Sequence, residues 1–316
     1  MSIRSYRLAS YADAHGNARA GIVVDDRVID AAMLLGATND SSVSVLSVLQ
    51  QWDENHQRLQ RAAELARGKS PPPSIALAST RLLAPVLYPG TVFCAGANYK
   101  DHVAEMSKAL NLPPEPDPHE KGLKPWHFIK SSAACVRGPD DSIALPSYSK
   151  KVDWEAEIAV VIGRKCRNVS IDAAMAYVAG LSIVNDLSAR DHLRREGVAP
   201  TSPFYFDWVS QKCFEGALPF GPWICPIDEI EDVGSLGIKL WVNDELMQDS
   251  SSSNLIFSMA EQIAHLSSRL TLKPGDVIAT GTPAGCGTAR GRFLQAGDRV
   301  KIWVEQIGEF TNQFIR

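Results

Sequence analysis

Three acidic residues alternate in the string Val152-Asp153-Trp154-Glu155-Ala156-Glu157-Ile158-Ala159-Val160. Read as a strand, period two puts Asp153, Glu155 and Glu157 on one face and Val152, Trp154, Ala156, Ile158 and Val160 on the other. Carboxylates two residues apart on a strand stand about 7 Å apart at the backbone, near enough to share one ion, and at neutral pH they repel unless positive charge lies between them. A hard divalent cation meets that need, and oxygen ligands without His or Cys favour Mg²⁺, Mn²⁺ or Ca²⁺ over zinc. The alternative is an ordinary strand with its polar face in water. Against it stand the apolar run Ile158 to Ile162, which carries the strand on into a core, and Asp186, which closes the run Leu181-Ser182-Ile183-Val184-Asn185. An Asp so placed can also cap the following turn. Together Glu155, Glu157 and Asp186 make a candidate ion site of two Glu and one Asp.

Further reactive types lie nearby in the chain. His102 and Glu105 stand at i and i+3 of a short helical stretch, so they share a side, and Glu105 can orient the imidazole or raise its basicity; an isolated H-x-x-E is equally a solvated helix face. Lys130 and Lys212 adjoin apolar stretches where a lysine needs a partner or must snorkel to the surface. Gly281-Thr282-Pro283-Ala284-Gly285-Cys286-Gly287 lacks both the G-x-G-x-x-G spacing and the lysine of a phosphate loop, which argues against a nucleotide binder.

The elements that must position these groups come from a chain of 316 residues, long enough for about two domains. Lys and Arg number 32 against 36 Asp and Glu, a net charge of −4 that disfavours nucleic acid or anionic lipid as a main partner. Met1 to Ser10 offers no apolar core of a signal peptide, and no run of about 18 apolar residues occurs, so a cytoplasmic protein is expected. The six cysteines have no C-x-x-C pair and read as reduced, mostly buried thiols. Strand-like pieces at Ser5 to Leu8, Ala18 to Val24 and Arg27 to Ile29 precede a helical pattern from Val43 to Ala66 that includes Leu65, and Pro71-Pro72-Pro73 marks a linker. These signals place a small N-terminal α+β domain over 1–70, a linker over 71–80 and a strand-rich α+β domain over 81–316. Ser170 to Val178, with Ser170 as N-cap, and Asn254 to Arg269 read as helices, and the proline-rich stretch 111–125 as a lid or an active-site loop. His119 and His127 there have no ligand-spaced partner, so zinc is not expected.

The strings GANYKDHVAEM (96–106), DWEAEIAVVIG (153–163), VNDLSARD (184–191) and KPGDVIATGTPAGCG (273–287), in this order and spacing, resemble the fumarylacetoacetate hydrolase family, in its acylpyruvase and 2-hydroxyhepta-2,4-diene-1,7-dioate isomerase-like branch. The resemblance covers the chain from about Arg81 onward. It implies the mixed β-roll of that family's C-terminal domain, a homodimer, a small 2-oxo acid substrate with no nucleic acid or membrane partner, and one Mg²⁺ or Mn²⁺ on Glu155, Glu157 and Asp186. It further implies that His102 and Glu105 lie on a lid segment and activate water, with His102 as general base. Lys212 and Lys130 would stabilise enolate charge, and Arg190 and Thr282 would bind the substrate carboxylate. The activity expected is cleavage of a carbon-carbon bond in a 2,4-dioxo acid of acylpyruvate or fumarylpyruvate type, giving pyruvate and a carboxylic acid. A decarboxylase, isomerase or hydratase acting on a related 2-oxo acid is the alternative, and a non-catalytic protein with a structural Ca²⁺ a third. Leu193, where some members carry a polar substrate contact, and the proline-rich loop depart from the family pattern and leave the distal specificity open.

Overall fold

The computed structural model describes residues 6–37 and 43–316. Ser5, the first residue of the earliest expected strand, lies outside them; the strand itself runs Arg7–Ala12. It pairs antiparallel with Ala18–Val24, which pairs with Arg27–Asp30. The helical pattern after it divides at Gln51, whose backbone leaves the helical region (φ −127, ψ 45), giving helices Val45–Gln50 and Trp52–Ala66. The Ser44 side chain caps the first of them through a reciprocal bond with Ser47. Leu59, Ala62, Ala63 and Ala66 face the core, while Leu65, expected inside, is 70% exposed because it stands six residues after Leu59, about a third of a turn off the buried stripe.

The stretch at Pro71 to Pro73 leads into Ile75–Ala76, which pairs back onto Arg27–Asp30. One twelve-stranded sheet then runs through the whole molecule. Its path is Ile75–Ala76, Arg27–Asp30, Ala18–Val24, Arg7–Ala12, Leu218–Pro226, Val178–Asn185, Ala156–Ile162, Val277–Ala279, Val92–Ala95 and His127–Lys130, with Leu82–Leu83 beside Arg7–Ala12 and Val136–Arg137 beside Leu218–Pro226 off that path. The pairing of Leu8 with Ile224 joins the N-terminal strands to the rest, so backbone hydrogen bonding crosses the expected linker. The division into 1–70 and 81–316 is therefore kept only as a proposal about folding units. A second, five-stranded sheet orders Glu245–Ser251, Gly237–Val242, Arg299–Val304, Gly308–Ile315 and Ser142–Ala144. The mixed, strand-rich α+β architecture is the expected one.

Ala156–Ile162 and Val178–Asn185 lie at the centre, and every residue of both is buried. A strand buried on both faces leaves no face for water, so the solvated reading of its carboxylates fails here. The eleven-residue strand expected from Val152 is interrupted. Val152–Asp153 pairs with Ser188–Ala189, and the long strand resumes only at Ala156. At the step, side chains replace the ladder: the Glu155 N–H donates to Asn185 Oδ1 at 2.9 Å and the Ala156 N–H to Gln248 Oε1 at 3.0 Å.

Three further helices differ in how they begin. Met259–Arg269 begins later than expected because Ser258 and Glu261 form a capping box there. Ser170 occupies the N-cap position of the short helix Ile171–Ala174, followed by a 3-10 turn over Met175–Tyr177, but its side chain makes no capping bond. Helix Lys100–Ala109 follows Asn98, which is 2% exposed and ties three segments together. Its Nδ2 donates to the carbonyls of Phe257 (3.0 Å) and Thr280 (2.8 Å), and its Oδ1 accepts from the Phe257 N–H (2.8 Å). Asn98→Ala leaves the Phe257 N–H and the Thr280 carbonyl without that partner, while Gln262 still donates to the Phe257 carbonyl, and is expected to lower stability by about 3 kcal/mol in urea unfolding.

Candidate active site

Glu155, Glu157 and Asp186 meet where the central strands end. Glu157 lies on Ala156–Ile162, Glu155 at the step before it, and Asp186 just past Val178–Asn185, whose partner register sets Glu157 opposite Val184. Each of the three offers a ligand oxygen within 4.8 Å of the others, and they are between 1% and 5% exposed. Among the described residues this is the one group of three or more His, Cys, Asp or Glu with atoms in reach of a single ion.

The charges around them are built to near balance. Lys212 Nζ contacts Glu155 Oε2 at 2.7 Å and Asp186 Oδ2 at 2.8 Å, while Lys130 Nζ contacts Asp186 Oδ1 at 2.7 Å. Arg190 pairs through Nε with Asp153 Oδ2 at 2.9 Å and through Nη2 with Glu155 Oε1. Burial alone would raise the Glu155 pKa, but Arg190 and Lys212 outweigh it and bring the value down to about 2. Glu157 is the opposite case. Burial first, then the charges of Asp186 and Glu155, push it well above the usual carboxylate range, opposed only in part by Lys212 and the Gly281 N–H. Four buried carboxylates, counting Asp153, thus face three cations, and Glu157 is the one left without a cation of its own. A divalent cation fits that donor set: it takes the place of the proton held there and meets three hard oxygens.

The two lysines differ in what remains free. Lys130, 1% exposed, donates to the carbonyls of Leu187 (2.8 Å) and Ala217 (2.7 Å) and meets Asp186 as an ion pair, so its ammonium is enclosed on three sides. Lys212 has two carboxylate partners, and on its remaining side Nζ lies 4.7 Å from the centroid of the Phe128 ring. Thr282 also belongs to the frame. Its Oγ1 donates to the Ala156 carbonyl at 3.0 Å and accepts from Gln248 Nε2 at 2.9 Å, so Thr282 and Gln248 grip from both sides the residue between the two glutamates.

His102 and Glu105 project from the same helix but are not joined. Glu105 Oε2 accepts the Gly285 N–H at 2.8 Å, and Gly285, at φ +101, has no room for a side chain because a Cβ would lie 1.9 Å from the Met247 carbonyl oxygen. His102 Nδ1 is buried with no hydrogen-bond partner among the described residues. Burial lowers its pKa, Glu155 opposes that, and Arg190 adds to it, so the imidazole is held neutral. His119 bonds Asp117 and Glu261, and His127 stacks on His265.

Sequence reasoning left Asp153, Gln248, Asn185 and Phe128 without roles. Asp153 is the anchor of Arg190, and it accepts in addition the Gly287 N–H (2.6 Å) and the Thr288 hydroxyl (2.7 Å). Its place on the acidic face was the available signal. The partners of the other three are far away in sequence and left none.

A family model described as fumarylacetoacetate (FAA) hydrolase C-terminal matches residues 91–315. The chain belongs to the fumarylacetoacetate hydrolase family. It is 38% identical over 245 residues to the protein named oxaloacetate tautomerase Fahd2a, mitochondrial, of Rattus norvegicus, covering 77% of this chain and 72% of that one. Among solved structures, maleylpyruvate hydrolase from Sphingobium sp. SYK-6, in complex with manganese (II) ion and pyruvate, matches with a TM-score of 0.75 and 27% identity over 98% of both chains. A fumarylacetoacetate hydrolase from psychrophilic Exiguobacterium antarcticum matches with a TM-score of 0.76 and 30% identity over 98% of this chain and 99% of that one. Some relatives are named mitochondrial, and no described helix of this chain is long and apolar enough to cross a membrane.

Removing the ligand that lacks a counter-cation tests the site directly. Mn²⁺ or Mg²⁺ at 100 times its Kd should stabilise the chelator-stripped protein by about 2.7 kcal/mol, read as a higher thermal midpoint. Glu157→Gln should fold and lose that response, and a full response in the variant would rule out the assignment.

Proposed function

We propose that the protein is a divalent-metal-dependent enzyme moving a proton at the carbon beside the 2-oxo group of a small oxaloacetate-like acid, a keto–enol tautomerase. The observation that carries this reading is His102: a neutral imidazole with an unpartnered Nδ1, within the electrostatic reach of Glu155 and Arg190, on a helix whose Glu105 is committed to Gly285. The likeness to chains named oxaloacetate tautomerase supports it. A cation held by Glu155, Glu157 and Asp186, Mg²⁺ or Mn²⁺, supplies positive charge to the carboxylate and 2-oxo oxygens of such a substrate. His102 Nδ1 accepts the proton leaving carbon. Lys212, the lysine with a side not closed by an oxygen acceptor, meets the negative charge that develops on the substrate oxygen. Arg190 and Thr282 hold Glu155 and Ala156 in place, and contact of Arg190 with the substrate carboxylate belongs to the proposal. A homodimer in the cytoplasm is the setting assumed.

Cleavage of an acylpyruvate or maleylpyruvate-type bond is the second reading, supported by the likeness to the Sphingobium maleylpyruvate hydrolase over nearly the full chain. It requires Glu105 to leave Gly285 and orient His102 towards a water. Chelator-stripped protein, with and without Mg²⁺ or Mn²⁺, separates the two. Metal-dependent enol-to-keto conversion of oxaloacetate, followed by ultraviolet absorbance with no pyruvate released, supports the tautomerase; equimolar pyruvate and carboxylic acid from an acylpyruvate moves the assignment to the hydrolase. Under either reading His102→Ala should lower turnover by about 10²–10⁴. Because the His102 pKa is lowered, its action as base, in the keto-to-enol direction or on water, is fully present above the ordinary histidine value of about 6.5 and falls only at lower pH. That acid limb should be missing from the residual rate of the variant.

A further inference from the structure

The side of Lys212 that no oxygen occupies is not open. The Phe128 ring covers it, with Nζ 4.7 Å from the centroid. Trp208 stacks on the same ring at 5.5 Å between centroids and 20° between planes, and Trp126 closes edge-on against Trp208 at 5.6 Å and 68°. The connections are short in sequence. Trp208 and Lys212 lie one turn apart on helix Trp208–Lys212, so both rest on one ring. Phe128 and Lys130 lie two apart on strand His127–Lys130 and share a face. A single aromatic contact therefore registers the helix that carries one ammonium against the strand that carries the other.

We propose that Phe128, braced by Trp208, is a positioning residue for Lys212: its ring face shields the third side of the ammonium from water and keeps that side available for a substrate oxygen. A ring face suits the task because it attracts the cation without being an oxygen acceptor, so a developing oxyanion outcompetes it whereas a bound carboxylate or water would not be displaced as readily. Replacement by an aliphatic side chain keeps the apolar contact and loses the quadrupole, which leaves the ammonium free to turn or to take up water. The consequence for turnover rests on the reading of the site as one that acts on 2-oxo acids. The shielding itself does not.

Two measurements on the full-length, Mn²⁺-loaded protein test the two halves separately. The first is acetylation of Lys212 by acetic anhydride, followed by peptide mass spectrometry. Phe128→Leu should raise its rate about fivefold and Phe128→Tyr, which keeps the ring, should restore it. The second is steady-state turnover of oxaloacetate or an acylpyruvate, whichever the wild-type protein uses. Phe128→Leu should lower kcat about tenfold with KM within threefold, Phe128→Tyr should recover most of it, and Mn²⁺ binding should stay within twofold in both variants. Unchanged acetylation in Phe128→Leu overturns the proposal. So does a loss of kcat in Phe128→Tyr as large as in Phe128→Leu, and so does a parallel collapse of Mn²⁺ binding, which would mark a packing defect. A wild-type protein that turns over neither substrate class refutes the functional reading alone, and acetylation then decides the shielding.

Discussion

Burying four carboxylates where the central strands end is the constraint on which the rest of this molecule depends. Each charge removed from water costs several kcal/mol unless it is met by an opposite charge or donors at close range. Asp153 is met by Arg190, the Thr288 hydroxyl and three backbone N–H groups, Glu155 by Arg190 and Lys212, and Asp186 by both lysines. Glu157 receives one N–H, from Gly281. The imbalance is local: Glu157 faces other carboxylate oxygens and one N–H, and a set of hard oxygen donors of that kind suits a divalent cation better than a further ammonium. Much of the surrounding polar frame serves the same end: Gln248, Thr282 and Asn185 satisfy the backbone at the step between Asp153 and Ala156, so that two glutamates can turn inwards without leaving buried N–H groups unpaired.

The same bookkeeping of donors separates two lysines that look alike in sequence. Lys130 is a counter-charge built into the frame, its ammonium enclosed by Asp186 and two carbonyls. Lys212 reaches two carboxylates whose charge is shared once a cation is present, and its remaining side meets a ring. An ammonium that must respond to charge appearing on a substrate needs a partner it can give up. Only Lys212 has one.

The grouping of Glu155, Glu157 and Asp186 was legible because two independent local signals converged, an acidic alternation running into an apolar run and an Asp closing a second apolar run, and buried neighbouring strands bring such ends together; their role as ligands belongs to the proposal. The role of Asp153 was hidden by the same pattern. A period-two reading cannot see that the strand breaks at Trp154, since the break is made by Asn185 and Gln248, 30 and 92 residues away from the N–H groups they take. The N-terminal helical pattern failed for a different reason. Leu65 stands 16 residues, about 4.4 turns, beyond Leu49, which carries it to the far side of the stripe that Leu49, Leu59, Ala63 and Ala66 share. The order of the strands was not readable at all. The pairing of Arg7–Ala12 with Leu218–Pro226 joins segments more than 200 residues apart, beyond any local pattern.

What the family shares and what decides the reaction lie on different elements. The clustered carboxylates and lysines sit on buried strands and on a short helix wedged against them, whereas His102 and Glu105 ride on helix Lys100–Ala109, none of whose residues is fully buried. Two polar bonds hold that helix to the body: Asp101 accepts the Ser250 hydroxyl at 2.5 Å, and Glu105 accepts the Gly285 N–H. Glu105 therefore has two possible employments that exclude each other. Bound to Gly285 it fixes the helix and leaves His102 a lone proton acceptor, which suffices for exchange at carbon. Released, it can share the imidazole proton and make His102 a base for water, at the cost of the bond that held the helix down. Under the function proposed above, the balance between a Glu105 bond to Gly285 and one to His102 would select between proton transfer and hydrolysis on one unaltered cluster of buried charge.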